Sequence, residues 1–486
     1  MNAFDYFFEH TKELSKNFVL GSKEEISFSE LYTNSKKIAN FLNKTVGQNQ
    51  NIILIAPNSV FFITVYLGIL KSNNVCVPLN PAIEQENLDY ICKITESSIV
   101  VTTKQIKKSL NLDVKLTLVD EDLFNEILVS DYLINDNESI KEDTLAEIIF
   151  TSGSTGSPKG VMISHKNIIS NTSSIIEYLN LDIADTMCVV LPFYYCYGLS
   201  LLHTHLRAGA SLVLNNTFIF LGTVINDLTQ YKCTGFAGVP SHFQILLKKS
   251  QSFKVTHFPH LKYVTQAGGK LHNVFIEEFV HSFPKVKFYV MYGQTEATAR
   301  LTYLPPDMLP CKIGSVGKAI PNVLIKVVDN IGQTVATDEE GELVAKGDNV
   351  MLGYYKDDED TKMTIKNGWL YTGDIAKVDK DNFIYIVARK KEIIKVGGKR
   401  VSPKEIEDVI LKIDEIVDCT IVGVQDEILG EALKAIIILN KLEKLKEVKN
   451  KIISKCKEKL ALYKIPQFFE FDTKMNVKST GKKNIK

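Results

Sequence analysis

Between residues 51 and 291, short runs of β-branched residues alternate with segments of helical period, which restricts the chain to βα units on a largely parallel sheet. Strands are expected at 52–55, 75–78 and 98–102, with helices at 60–71 and 85–95 between them. A second series places helices at 166–179, 199–206, 223–230, 241–249 and 273–281, and strands at 188–191, 211–214, 263–266 and 287–291. From Cys311 the character changes to strands and turns, at 325–328, 341–346 and 383–387. Residues 113–144 are polar, acidic over 131–143, and read as an irregular surface connection.

A chain of 486 residues is too long for one small core, and two or three domains are expected. The short charged stretch A-R-K-K-E at 388–392 lies between apolar strands and reads as a boundary. Beyond it a compact unit is expected, with helices at 403–411 and 442–460 and strands at 418–424 and 432–439. From Glu392 onward there are 20 Lys and Arg against 15 Asp and Glu, although the whole chain has a formal net charge of zero. A solvated lysine-rich helix explains such a bias, and a phosphate-bearing or acidic partner would also suit it. The global balance does not point to nucleic acid or a membrane. The apolar run at 52–70 is split by Pro57, Asn58 and Ser59 into pieces too short to span a bilayer. Eight scattered cysteines, none in a C-x-x-C pair, fit reduced thiols, and the first residues lack an apolar signal core. The expected setting is soluble and cytoplasmic.

The loop at 151–160, T-S-G-S-T-G-S-P-K-G, follows the apolar run Ile148, Ile149 and Phe150. Its glycines let backbone N–H groups approach an anion, while hydroxyls and Lys159 add donors and charge. The expected task is holding phosphates. It is not a Walker A loop, because Lys159 is followed by Gly160 rather than Ser or Thr. The segment M-Y-G-Q-T-E-A-T at 291–298 follows a strand. There Tyr292 and Gly293 suit a flat ring, Thr295 a phosphate, and Glu296 a Mg²⁺ ion. Asp374, in Y-T-G-D, is placed to bond paired ribose hydroxyls, and the tail K-S-T-G-K sets Lys482 on a glycine hinge. Each segment alone reads more readily as a connector, a turn or a basic tail.

Together and in this order, the loop, Tyr292–Glu296, Tyr371–Asp374, Arg389, I-K-V-G-G-K-R-V-S-P-K-E-I-E at 394–407 and Lys482 closely resemble the motifs of the adenylate-forming (AMP-binding) superfamily, which includes acyl-CoA synthetases. The resemblance runs from Pro57 to Lys482. It implies an α/β fold: a large N-terminal domain (1–388) of layered βα sheets with a distorted β-barrel, a hinge (389–392), and a small mobile α+β C-terminal domain (393–486). It implies ATP-dependent conversion of a carboxylic acid to acyl-AMP, then thioester formation with coenzyme A, with Mg²⁺ required, as in fatty acid metabolism. Thr151, Ser152, Gly153, Ser154, Thr155, Gly156 and Lys159 would hold the β- and γ-phosphates. Glu296 would bind Mg²⁺ with Thr151 as a second contact, and Thr295 the α-phosphate. Lys482 would bridge carboxylate and α-phosphate. Asp374 and Arg389 would contact ribose, and Gly268, Gly269 and Tyr292, with Gly293 and Gln294, would frame adenine. Lys391 would be the hinge residue, and Gly397 and Gly398 would line the thiol tunnel.

Three departures stand out. Tyr195, in P-F-Y-Y-C-Y-G at 192–198, occupies a position where relatives often carry His. The adenine-side turn reads Gly268-Gly269-Lys270 where Ala and Pro are usual, and Asn476-Val477-Lys478 replaces Pro-Lys-Thr. Tyr195 and Tyr197 are expected in the acyl pocket. The stretch at 192–198 lacks the aspartate by which amino-acid-activating relatives pair an ammonium, which favours an uncharged acyl tail, fatty or small-carbon. The acceptor is coenzyme A or a carrier-protein phosphopantetheine, and a catalytically idle ligand-binding homologue is the reading from another class. His203 and His205, two apart on a helix, point to opposite sides and do not suggest a metal site.

Overall fold

In the computed structural model, residues 1–486 are described except 112–116, 131–139, 152–157, 391, 397–398, 427–429, 476, 478–479 and 481–486. The alternation is realised as two mostly parallel sheets covered by helices. In the first, seven strands run in the order Gly353–Tyr354, Lys159–Ser164, Leu145–Thr151, Val75–Leu79, Asn51–Ile55, Ile99–Thr102 and Thr117–Val119. The strands from Leu145–Thr151 onward are mutually parallel, and the first two are antiparallel additions. Val75–Leu79 is buried at every position, as expected for a strand covered on both faces.

The second sheet has nine strands. Its parallel core runs Lys287–Tyr292, Tyr263–Gln266, Gly235–Gly238, Thr186–Val189, Ser211–Leu214 and Asn17–Leu20, with short antiparallel strands at both edges. Helix Val60–Lys71 packs between layers with ten of its residues buried, and helix Cys196–Ala208 is equally enclosed. Among the described residues no helix is long and apolar enough to cross a membrane.

Where the resemblance implies a distorted barrel, five antiparallel strands form a small sheet centred on Trp369–Val378, flanked by Gly341–Gly347 and Ile384–Arg389. After Arg389 the chain enters a separate five-stranded sheet at Ile394, covered by helices Pro403–Ile410 and Leu445–Lys459. This smaller unit rests on the larger body through Lys270 and His272. Lys270 Nζ lies 2.7 Å from Asp408 Oδ2 and His272 Nδ1 2.6 Å from Asp408 Oδ1. Gln244 Nε2 donates to Asp418 Oδ1 at 2.9 Å.

The stretch at 113–144 departs from the expected irregular connection. Thr117–Val119 extends the seven-stranded sheet, and helix Glu121–Val129 buries Phe124 and Ile127, three residues apart on one face. Polar composition hid this element because only that narrow apolar stripe touches the core. Asp120 caps the helix by accepting from the backbone of Asp122 and Leu123. Helix Cys196–Ala208 also begins three residues before the expected 199–206 segment.

One ionisable cluster lies between the layers, away from any motif. Tyr66 Oη donates to Glu147 Oε2 at 3.0 Å and lies 2.8 Å from His203 Nε2, while Phe7 stacks on His203. His205 turns to the Leu201 carbonyl at 2.9 Å. Burial lowers both imidazoles, His203 to about 3 and His205 to about 4, and raises Glu147 from 4.5 to about 7. Between these last two values the native state keeps a proton on Glu147 that the unfolded chain releases, so this group's contribution to stability falls as pH rises. Glu147→Gln cannot ionise. It should gain on the order of 3 kcal/mol relative to the wild type between about pH 4.5 and 7, read by urea titration across that range. A wild-type-to-variant difference that stays constant with pH would show that Glu147 titrates normally.

Candidate active site

The carboxyl ends of adjacent parallel strands define where a ligand can approach an open α/β sheet. Thr186–Val189 leads to the stretch carrying Tyr195 and Tyr197, Tyr263–Gln266 to Gly268-Gly269, and Lys287–Tyr292 to Gly293, Gln294, Thr295 and Glu296. Gly268 has φ +82°, a left-handed backbone that glycine adopts without strain, and Gly269 O accepts from Gln266 Nε2 at 2.7 Å. The sheet therefore gathers these motifs along one edge.

The turn after Tyr292 is pinched closed. Leu301 N donates to Tyr292 O at 2.9 Å, and a Cβ on Gly293 would lie 2.1 Å from Ala299 O. Only glycine fits there. The short 3₁₀ turn Thr295–Ala297 sits at the tip of this loop, with Thr295 buried against Cys196 (Oγ1 to Sγ 3.4 Å).

Glu296 is anchored from the other sheet. Tyr354 Oη donates to Glu296 Oε1 at 2.9 Å, and Met351 N donates to Glu296 O at 2.9 Å. Burial, reinforced by the Glu296 carboxylate, holds the Tyr354 phenol well above its ordinary value, so it remains a donor. The same segment fastens the phosphate-loop hairpin: Tyr355 N donates to Gly160 O at 2.7 Å and Leu352 N to Met162 O at 2.9 Å. Lys159 Nζ stands 5.4 Å from the Tyr354 ring centroid and pairs with Asp360. Thr151 lies opposite Lys159 across the hairpin, its hydroxyl donating to Lys159 O at 3.5 Å.

The third corner is a buried carboxylate. Asp374, 3% exposed, accepts from Tyr292 Oη at 2.6 Å on one oxygen and from Arg389 Nε at 3.0 Å on the other. Asp374 and Arg389 are cross-strand partners in the small antiparallel sheet. Burial and the adjacent Asp374 push the Tyr292 phenol well above its ordinary value. Tyr197 is buried, bonded through its hydroxyl to Thr265 (2.8 Å to Oγ1), while Tyr195 is half-buried at the start of helix Cys196–Ala208. Expected site residues Ser152, Gly153, Ser154, Thr155, Gly156, Lys391, Gly397, Gly398 and Lys482 lie outside the described residues.

Among the described residues neither Glu296 Oε2 nor the lone pairs of Thr151 Oγ1 have a hydrogen-bond partner. Hard oxygen donors of this kind fit Mg²⁺. Among the described residues there is no cluster of three or more His, Cys, Asp or Glu able to hold a metal alone, so a cation here would need ligands from elsewhere, as Mg²⁺ takes from substrate phosphates.

The sequence profile of the AMP-binding enzyme family matches residues 8–355, and that of the AMP-binding enzyme C-terminal domain matches 405–482. The chain belongs to the AMP-binding enzyme family. Among its relatives are an oxalate–CoA ligase of Arabidopsis thaliana, 29% identical over 86% of this chain and 83% of its own length, and a long-chain-fatty-acid–CoA ligase of Bacillus subtilis, 26% identical over 94% and 89%. Among solved structures, ATP-bound MatB from Rhodopseudomonas palustris superposes with a TM-score of 0.88 at 26% identity, covering 99% of this chain and 97% of that one. The o-succinylbenzoate CoA synthetase of Bacillus subtilis, solved with ATP and magnesium, shares the fold at TM-score 0.85 and 24% identity, over 99% and 98%. This AMP-binding enzyme is thus an acid–thiol ligase by family, with the large and small units of that fold.

Three neighbours of the site escaped the sequence reading. Tyr354 and Asp360 lie far along the chain from the motifs they touch, and Y-Y-K-D-D-E-D at 354–360 carries no pattern to announce them. Arg300 could have been noticed, as a lone cation in A-T-A-R-L four residues beyond Glu296. Gly293→Ala should displace Ala299 and the Thr295–Glu296 tip. We expect a loss of about 1–3 kcal/mol in urea unfolding, with ATP binding weakened beyond what stability alone explains. Wild-type stability and ATP affinity in this variant would show that the pinch is not required.

Proposed function

We propose that this enzyme activates a carboxylic acid with ATP and transfers the acyl group to coenzyme A. The observation that supports this best is Asp374: a buried carboxylate held by Arg389 and by Tyr292, the last residue of the parallel strand that leads to Thr295 and Glu296. Its oxygens suit paired ribose hydroxyls. A carboxylate is a poor acyl donor because attack on it must expel oxide. Its oxygen therefore attacks the α-phosphorus of ATP, the bond to the bridging oxygen breaks, and pyrophosphate departs. The resulting mixed anhydride accepts a thiolate at its carbonyl, and AMP leaves.

The protein's part in the first step is alignment and charge neutralisation. Thr295 takes an α-phosphate oxygen. The 151–160 loop takes the β- and γ-phosphates, with Lys159 exchanging Asp360 for phosphate. Glu296 and Thr151 would hold a Mg²⁺ ion, which would supply positive charge against the departing phosphates. Gly268, Gly269 and Tyr292 enclose the adenine. In the second step the unit beyond the 389–392 hinge turns at Lys391, withdrawing Lys482 and bringing Gly397 and Gly398 to the thiol path. The Lys270 and His272 contacts with Asp408 hold one of these orientations.

The relatives' acids range from oxalate to long-chain fatty acids, so family membership does not choose among them. The absence of an acidic residue at 192–198 speaks against an amino acid, whose ammonium would lie unpaired beside Phe193, Tyr195 and Tyr197.

Acid-dependent release of pyrophosphate from ATP, measured with coenzyme A or a phosphopantetheinylated carrier protein, tests the reading. Thioester is expected on coenzyme A. Its formation on the carrier alone would overturn the acceptor, and failure of every acid to release pyrophosphate would favour an idle ligand-binding protein. Lys482→Ala should lower adenylation by about 10²-fold or more while still converting a supplied acyl-adenylate to thioester. Normal adenylation by that variant would remove Lys482 from the first step.

A further inference from the structure

Arg300 is a cation of the candidate site whose charge has no counterpart among the described residues. It is 2% exposed, yet no described carboxylate lies within ion-pair distance. Its guanidinium carbon stacks 4.3 Å from the Tyr197 ring centroid, and the Tyr178 phenol oxygen accepts one of its hydrogen bonds. The nitrogen Nη1 reaches the Ala299 carbonyl at 3.4 Å, and Nε is buried without a partner among the described residues. A guanidinium carries five donors and stays charged under all ordinary conditions. Leaving one buried, faced by neutral aromatic rings and with a donor unused, is unfavourable unless an anion completes it.

The backbone is arranged to keep Arg300 there. Thr298, a β-branched residue, adopts φ +63° and its hydroxyl donates to Asn349 O at 2.7 Å. Asn171 and Asn349 both donate side-chain N–H groups to Arg300 O, at 3.1 and 2.8 Å. The position of Arg300 relative to the proposed reaction centre follows from the first residues of helix Cys196–Ala208. Cys196 touches Thr295, which takes the α-phosphate in the proposed reaction, and the next residue, Tyr197, carries Arg300 on its ring. Thr295 and Arg300 therefore both lie against the first residues of this helix, which sets Arg300 close to the proposed α-phosphate contact.

We infer that Arg300 binds a second anionic group at the far end of the acid, so that the preferred substrate is a dicarboxylic acid or one whose tail carries a comparable planar anion. The inference rests on the adenylation reading and narrows its acyl site. A planar fork matches a carboxylate bidentately, which fixes the tail as well as neutralising it. The same argument excludes an ammonium-bearing tail, which would set two cations together in a buried pocket. It also replaces the uncharged tail suggested by the motif at 192–198, since the charge that decides the tail lies on a different loop.

The test is pyrophosphate release with matched pairs: succinate with butyrate, adipate with hexanoate, suberate with octanoate, and each diacid with its monomethyl ester. In the wild type at least one diacid should exceed both its monocarboxylate and its monoester in kcat/KM by about a hundredfold, because a site built for a polar group rejects the analogue that lacks it. Arg300→Met should erase that advantage, and Arg300→Lys should keep part of it. Monocarboxylates used as well as diacids by the wild type, or a diacid preference that survives Arg300→Met, would overturn the assignment and leave adenylation standing. No pyrophosphate release with any acid, from protein that still binds ATP, would overturn the adenylation reading and this one with it. The wild-type comparison decides the matter even where a variant fails to fold.

Discussion

Asp374 carries two constraints at once. Its carboxylate is enclosed, so it requires donors on both oxygens, and those donors come from different sheets. Tyr292 ends a strand of the nine-stranded sheet, whereas Arg389 closes the small antiparallel sheet just before the chain crosses to the C-terminal unit. Satisfying one buried charge therefore fixes the position of the proposed nucleotide site relative to the last strand before the crossing. The arrangement also leaves the site poised, since Arg389 can share its donors with a ligand without leaving Asp374 unpaired: Tyr292 still donates.

A second chain of contacts works the same way across the other pair of layers. Lys159 stands by Tyr354, Tyr354 donates to Glu296, and the segment around Tyr354 hydrogen-bonds to both the phosphate-loop hairpin and the backbone of Glu296. Two motifs separated by about 140 residues are registered by a strand of two residues, Gly353–Tyr354. The small strand matters less for its own stability than for this registration. Losing it would let the phosphate loop and the proposed Mg²⁺ ligand drift apart.

The alternating period from 51 to 291 made the two parallel sheets legible, because doubly covered strands must be apolar throughout and helices between them must be amphipathic. Motif residues at the strand ends were legible for a similar reason: glycine at 293 and at 268 answers a local backbone demand visible in one short segment. What escaped were pairings that only the tertiary fold creates. Phe124 and Ile127 are too few to reveal a helix in a polar stretch. Tyr354 and Asp360 have no local signature, and the partners of Asp408 lie some 136 residues away at Lys270 and His272. The unusual Lys270 after Gly268-Gly269 looked like a departure in the adenine turn. In the fold it is a cation facing Asp408, so its identity answers the docking surface and not the nucleotide.

The same distinction separates the two exceptional charges of the interior. Glu147 is buried beside Tyr66 and His203 and resolves its desolvation by keeping its proton, which costs nothing at low pH and only stability at higher pH. Arg300 has no such escape, because a guanidinium does not give up its proton in the range where proteins fold. Aromatic faces compensate part of the desolvation, but they supply no lone pair for the unused Nε donor. Glu147 is thus a self-contained core group whose partners are all within the fold. Arg300, lodged beside the proposed reaction centre by a strained Thr298 and two asparagine clamps, is complete only when something enters from outside.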